Sequence, residues 1–120
     1  MRKYAYLKMP LAVNDTDFIF RIMLYETAEG AYLFEYFNIH EMLQSSADLY
    51  YESLDDLYEE WNDLIDEKGW IDLDDPVPGA QHDAFLPVRV KGRDSGKPQW
   101  GQWEILQDGS WIDYHPEQKQ

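Results

Sequence analysis

Residues 53–69 read Ser53-Leu-Asp-Asp-Leu-Tyr-Glu-Glu-Trp-Asn-Asp-Leu-Ile-Asp-Glu-Lys-Gly69, and this stretch decides the fold class. Leu54, Leu57, Tyr58, Trp61, Leu64 and Ile65 recur at the spacing of one face of an amphipathic helix. Ser53 is a good cap for the first turn, and Asp55 and Asp56 sit where the helix dipole favours anions. Lys68 falls in the last turn, and Gly69 can end the helix. The pattern predicts one helix over 54–68.

The flanks read as strands and turns. Residues 4–9 form a short strand ended by Pro10, and Asn14-Asp15-Thr16-Asp17 is turn chemistry. Residues 18–26 and 31–37 are rich in aromatic and β-branched types, with a turn at Thr27–Gly30. A bulged register is expected here. It would place Ile22 and Leu24 with Phe34 and Tyr36, and Arg21 and Met23 with Leu33, Glu35 and Phe37. Both faces of that hairpin are largely apolar, so it is central or has one face covered by the helix. Residues 47–52 read as a strand leading into the helix.

Beyond the helix, residues 70–83 read as a loop punctuated by Pro76, Pro78 and Gly79. A strand over 84–91 sets Val88 and Val90 opposite Arg89 and Lys91, with Pro87 at an edge or bulge. A second strand covers 99–107. Asp108-Gly109 is a strong hairpin signal, pairing Leu106 with Trp111, Ile105 with Ile112 and Trp103 with Tyr114. Residues 117–120 are a polar tail. Strands, one helix, then strands predict an α+β single domain over 1–120. Its mainly antiparallel sheet would have about five to seven strands, with the helix packed on one face.

Charge is the most informative feature for function. The net charge is −14, and residues 48–75 hold twelve of the twenty-four carboxylates with one base, Lys68. The segments on either side are close to neutral. A 16% aromatic content supplies burial that a disordered chain lacks. The absence of cysteine excludes disulfides, thiol catalysis and thiolate metal sites. No apolar run reaches the ~20 residues of a membrane span. Charge and proline break residues 4–10 as a signal sequence. A cytoplasmic protein is the expectation. A pI near 4.3 argues against nucleic acid or an anionic membrane as a direct electrostatic partner, and permits a basic protein partner.

On the predicted helix the outer face carries Asp55, Asp56, Glu59, Glu60, Asp63, Asp66 and Glu67. Like charges fall four apart, and each such pair costs about 0.2–0.5 kcal/mol. As a stabilising device the face is poor. It reads either as a solvated surface or as a docking surface for a basic partner. A membrane-surface helix would carry lysine there instead.

Other motifs weaken on inspection. Counted from Asp72, a calcium loop would need an oxygen ligand where Pro76 stands and glycine where Val77 stands. Gly92–Pro98 has the wrong glycine spacing for a phosphate loop, and Pro98 replaces the magnesium-binding hydroxyl. Asp94-Ser95-Gly96 lacks a protease context and reads as a charged hairpin tip. His40, His82 and His115 are isolated. No metal or cofactor is expected. His82-Asp83 could orient an imidazole for general-base work. With Trp100 these two define an alternative pocket beside the loop 74–83.

The leading expectation is a non-enzymatic acidic interaction protein that presents its helix to a basic partner. The role would be that of an inhibitor, an immunity-type protein or a nucleic-acid mimic. In size, charge and α+β pattern, though in no motif, the chain is similar to small acidic bacterial proteins of toxin–immunity, phage-defence or otherwise uncharacterised families. The alternatives are a small-molecule-binding domain or hydrolytic enzyme using loop 74–83, and a homo-oligomer subunit built on the two-sided hairpin.

Overall fold

The computed structural model of the chain describes residues 1–116, so the tail expected at 117–120 lies outside the described residues. The fold is α+β. Strands β1 (Arg2–Ala12), β2 (Phe18–Thr27), β3 (Gly30–Tyr36), β4 (Ala47–Tyr51) and β5 (Ile71–Leu73) form an antiparallel sheet in the order β4-β3-β2-β1-β5. Helix α1 (Leu54–Trp61) connects toward β5. Strands β6 (Val88–Val90), β7 (Trp103–Gln107) and β8 (Ser110–Tyr114) form a second antiparallel sheet. Among the described residues, no helix is long and apolar enough to cross a membrane.

Local chemistry sets several of these elements. The β7–β8 hairpin pairs Leu106 with Trp111, Ile105 with Ile112 and Trp103 with Tyr114, as its turn predicts. Asp108 and Gly109 both take positive φ, 53° and 81°, which the two-residue turn requires. The expected strands at 84–91 and 99–107 contract to β6 and β7. Strand β5 lies inside the stretch read as a loop. It is three residues long and exists by pairing with Arg2–Tyr4, so its own sequence carries little period.

The register of the β2–β3 hairpin differs from the expected one. Met23 faces Phe34 and Leu24 faces Leu33, with Thr27 opposite Gly30 and no bulge between. Dropping the bulged residue shifts the register by one and exchanges the faces of β3. Ile22, Leu24, Leu33 and Glu35 therefore share one face, and Arg21, Met23, Phe34 and Tyr36 share the other. Gly30 answers a close approach by β4. A Cβ there would lie 2.5 Å from the Tyr50 hydroxyl and 2.7 Å from the Tyr51 carbonyl.

Helix α1 covers the first face. Leu57 and Trp61 are buried against Ala5, Ile22, Leu24 and Leu33, with Leu54 and Tyr58 packed beside them. The regular helix ends at Trp61, and a 3-10 turn continues over Asn62–Leu64. Ile65 is then extended and bridges Leu7 of β1. That pairing buries Ile65 and takes it out of the helix its periodicity predicted.

The second face holds Met23, Phe34 and Tyr36, with Tyr4 and Phe85 against them. Its cover comes from loop segments, and the sheet supplies donors to their carbonyls. The Arg2 guanidinium donates to the carbonyls of Asp74 at 2.7 Å, His82 at 2.9 Å and Ala84 at 2.8 Å. The Tyr36 hydroxyl donates to the Asp83 carbonyl at 2.5 Å. Arg21 donates to the Glu41 carbonyl and lies over the Phe85 ring, 3.9 Å from its centroid. Both faces of the hairpin are thus covered within the chain.

Candidate interaction surface

Helix α1 places its acids by simple geometry. With Leu57 and Trp61 turned inward, Asp55, Asp56, Glu59 and Glu60 are exposed on the opposite side. Asp63 continues this exposed face on the 3-10 turn. Ser53 caps the helix, its hydroxyl accepting the Asp56 N–H at 3.1 Å. Asp66 and Glu67 do not ride on the helix, because the chain has already turned toward β1. The Asp66 carboxylate accepts the Lys68 N–H at 3.1 Å within a local turn. Five of the seven expected carboxylates therefore share helical backbone, and two do not.

Elsewhere five acids find a cation. Asp72 pairs with Lys3 at 3.0 Å, and Asp75 with the Met1 amino group at 3.1 Å. Arg89 holds Glu104 at 2.9 Å and Asp94 at 3.5 Å, and Lys91 holds Asp113 at 2.9 Å. Lys3 and Lys91 are both held above the ordinary lysine value, first by the hydrogen bond each carboxylate accepts. By contrast, Asp55, Asp56, Glu59, Glu60 and Asp63 make no ion pair among the described residues. Lys68, the base nearest in sequence, lies over the Tyr6 ring at 5.2 Å.

One of these acids is also tied inward. Glu60 accepts from the Tyr51 hydroxyl, which itself accepts the Trp61 indole N–H at 2.9 Å. Burial, then the bond to Glu60, pushes the Tyr51 hydroxyl up to about 12. Glu35 lies partly buried on the helix-covered face. Burial raises it above the ordinary carboxylate range, with added repulsion from Glu60 and Asp48. The region's negative potential is thus registered by a neighbour on the sheet.

The alternative pocket exists only in part. A depression of about 440 Å³ is lined by Phe34, Gln81, His82, Asp83 and Arg93 among others. His82 and Phe34 also line an adjoining depression of about 240 Å³ with Tyr25, Tyr32 and Asp48. Trp100 does not join either. It is 77% exposed on a separate turn. Asp83 does not orient His82. Its carboxylate accepts from the Ser45 N–H at 2.8 Å, the Ser45 hydroxyl at 2.9 Å and the Gln81 amide at 3.1 Å. The His82 ring packs on Tyr25 instead, 5.1 Å between centroids. Among the described residues, no three His, Cys, Asp or Glu side chains converge as a metal site.

Sequence reasoning missed one feature beside the acidic face. Leu7, Met9 and Leu11 of β1 meet Leu64 and Asp63 around a groove of about 330 Å³. The alternation Leu7, Met9, Leu11 carries the signal, but Pro10 among them marks a strand end by local chemistry. Comparison of the chain with protein-family models, with curated proteins and with solved structures finds no match.

Proposed function

We propose that this chain is a non-enzymatic acidic interaction protein whose helix presents carboxylates to a basic protein partner. One observation supports the reading. The outer acids of α1 and its 3-10 extension set five exposed carboxylates on one short helical segment, with no cationic partner among the described residues. Spacing like charges along one helix costs stability, and an approaching cationic surface would reverse that cost. Long-range attraction would also speed the encounter. An inhibitor or immunity-type protein covering a cationic cleft uses this chemistry, as does a mimic of nucleic-acid phosphates. The test is retention of a basic protein from lysate at low and high salt. Wild type should retain it at low salt only. The variant combining Asp56→Asn, Glu59→Gln, Glu60→Gln and Asp63→Asn should lose it, and unchanged capture by that variant would end the proposal.

A second reading, a small-molecule-binding domain, is favoured by the paired depressions that meet at His82 and Phe34. Their aromatic lining suits stacking against a ring, and Arg93 and Gln81 add polar groups at one side. The engagement of Asp83 elsewhere favours binding over hydrolysis. Fragment titration by NMR tests it. Ring-containing fragments should shift the His82 imidazole resonances, and a library that moves none of them counts against the site.

A further inference from the structure

Strand β1 outruns its neighbour on one side. Strand β5 pairs only with Arg2–Tyr4, and the single bridge from Leu7 to Ile65 follows it. Past that point Leu11 and Ala12 pair with β2 on one side, and among the described residues no strand lies on the other. The ladder with β2 also slips. Tyr6 faces Arg21 but Leu11 faces Ile19, so the chain bulges through Lys8-Met9-Pro10. Met9 stands 77% exposed on this bulge. Leu7, Met9, Pro10, Leu11 and Leu64 wall the 330 Å³ groove, and Asp63 lines it as well. Asp63 is also the last member of the carboxylate face, so the apolar groove and the acidic surface are continuous.

We propose that this groove receives an apolar side chain from an extended, lysine- or arginine-rich segment of a partner protein, laid along the open edge of β1. The inference rests on the carboxylate-face reading above and names the chemistry of its partner. An apolar anchor supplies affinity in a small desolvated pocket, while flanking bases meet Asp63, Glu59 and the acids beyond them. Pro10 lacks an N–H and the bulge twists the edge, so main-chain pairing with the segment is limited to Leu11 and Ala12. A second copy of this chain fits less well, because it would bring its own Asp63 and acidic helix to the same rim. Lys8, which also lines the groove, is the one positive group there, and it favours an anchor without a base at that position.

Two fluorescent octapeptides of equal charge test the proposal, one alternating lysine with leucine and the other lysine with serine. Wild type should bind the leucine peptide about tenfold more tightly, as burial of one leucine side chain implies. Met9→Ser and Leu64→Ser should each remove most of that preference while leaving the serine peptide unaffected. Met9 is so exposed that its substitution leaves folding intact, which keeps the test valid if Leu64→Ser unfolds. Equal binding of the two peptides, or a preference that survives Met9→Ser, would overturn the groove and leave the carboxylate face standing. Peptide binding that survives the quadruple carboxylate variant would instead overturn the reading on which the groove rests. A dimer in sedimentation that Met9→Ser dissolves would assign the groove to a second copy and overturn the proposal.

Discussion

On one face of the five-stranded sheet Leu24, Leu33 and Leu57 meet, three side chains without a polar atom. On the other, Met23 and Phe34 share their space with Arg2, Arg21 and Tyr36. The difference follows from what covers each face. Helix α1 pairs its interior backbone groups with one another and its first turn is capped by Ser53, so it needs only apolar contact from the sheet. The loop segments around 74–84 and 41 bring carbonyls that no ladder satisfies, and an unpaired buried carbonyl is costly. The sheet therefore contributes donors on that side: Arg2 to three carbonyls, Arg21 to Glu41 and Tyr36 to Asp83. Burial lowers Arg2 from its ordinary value, and nearby Tyr36 and Asp75 oppose that shift.

Substitutions on the two faces should separate these roles. Leu57→Ala removes the fully buried centre of the helix contact and should cost about 2–5 kcal/mol in urea unfolding. If it costs less than 1 kcal/mol on the same principle, the helix is not what holds that face. Arg2→Met keeps the bulk but strips three carbonyls of their donor, for an expected loss of about 2–3 kcal/mol. Faster hydrogen exchange should accompany it in the segment 74–86. Arg21→Met is the contrasting case. Its Nε has no partner, and its remaining role is one hydrogen bond and contact with aromatic rings. The change should stay within about 1 kcal/mol, since methionine replaces a costly buried charge. A larger loss for Arg21→Met than for Arg2→Met would refute carbonyl donation as the organising principle of this face.

The outer surface of the helix gives the smaller effects. The quadruple carboxylate variant relieves the Asp55/Glu59 and Asp56/Glu60 repulsions, worth about 0.4–1 kcal/mol at low salt. It also gives up the anion that Asp56 places in the first turn, so its net stability should change by less than about 1 kcal/mol and depend little on salt. Glu35 adds a pH signature. Its folded value lies above 4.5, so the folded chain holds a proton that the unfolded chain has released. This contribution makes stability rise as pH falls from that folded value toward 4.5, and fall as pH rises. Glu35→Gln should remove this component and stabilise the protein at neutral pH. Comparing the urea midpoints of variant and wild type from pH 4 to 7 isolates it, and identical pH slopes would show that Glu35 carries no such cost.

Much of this was legible from local chemistry. Leu54, Leu57, Tyr58 and Trp61 marked the buried side of the helix, and their spacing set the opposed acids on one surface. Asp108-Gly109 specified both its turn and the pairing of the strands around it. Those features depend on neighbours close in sequence. Three others did not. The faces of β3 turned on whether one residue bulged at Thr27–Gly30, and the sequence is apolar in either register. Ile65 fits a helix by period yet pairs with Leu7, because burial on β1 outweighs one more helical turn. Asp72 and Asp75 look like their helical neighbours in composition, but Lys3 of β1 and the Met1 amino group just before it neutralise them.

The sequence by itself determined that the acids are concentrated in one block and that a helix would hold part of it. Only the tertiary structure decided which acids keep their charge uncompensated. Local periodicity fixes the direction of a side chain, but compensation depends on which cation the fold brings within a few ångströms. The same reason hid the groove beside Asp63. Leu7, Met9 and Leu11 are far from Leu64 in the chain, and the pocket between them exists only once Ile65 has docked on β1.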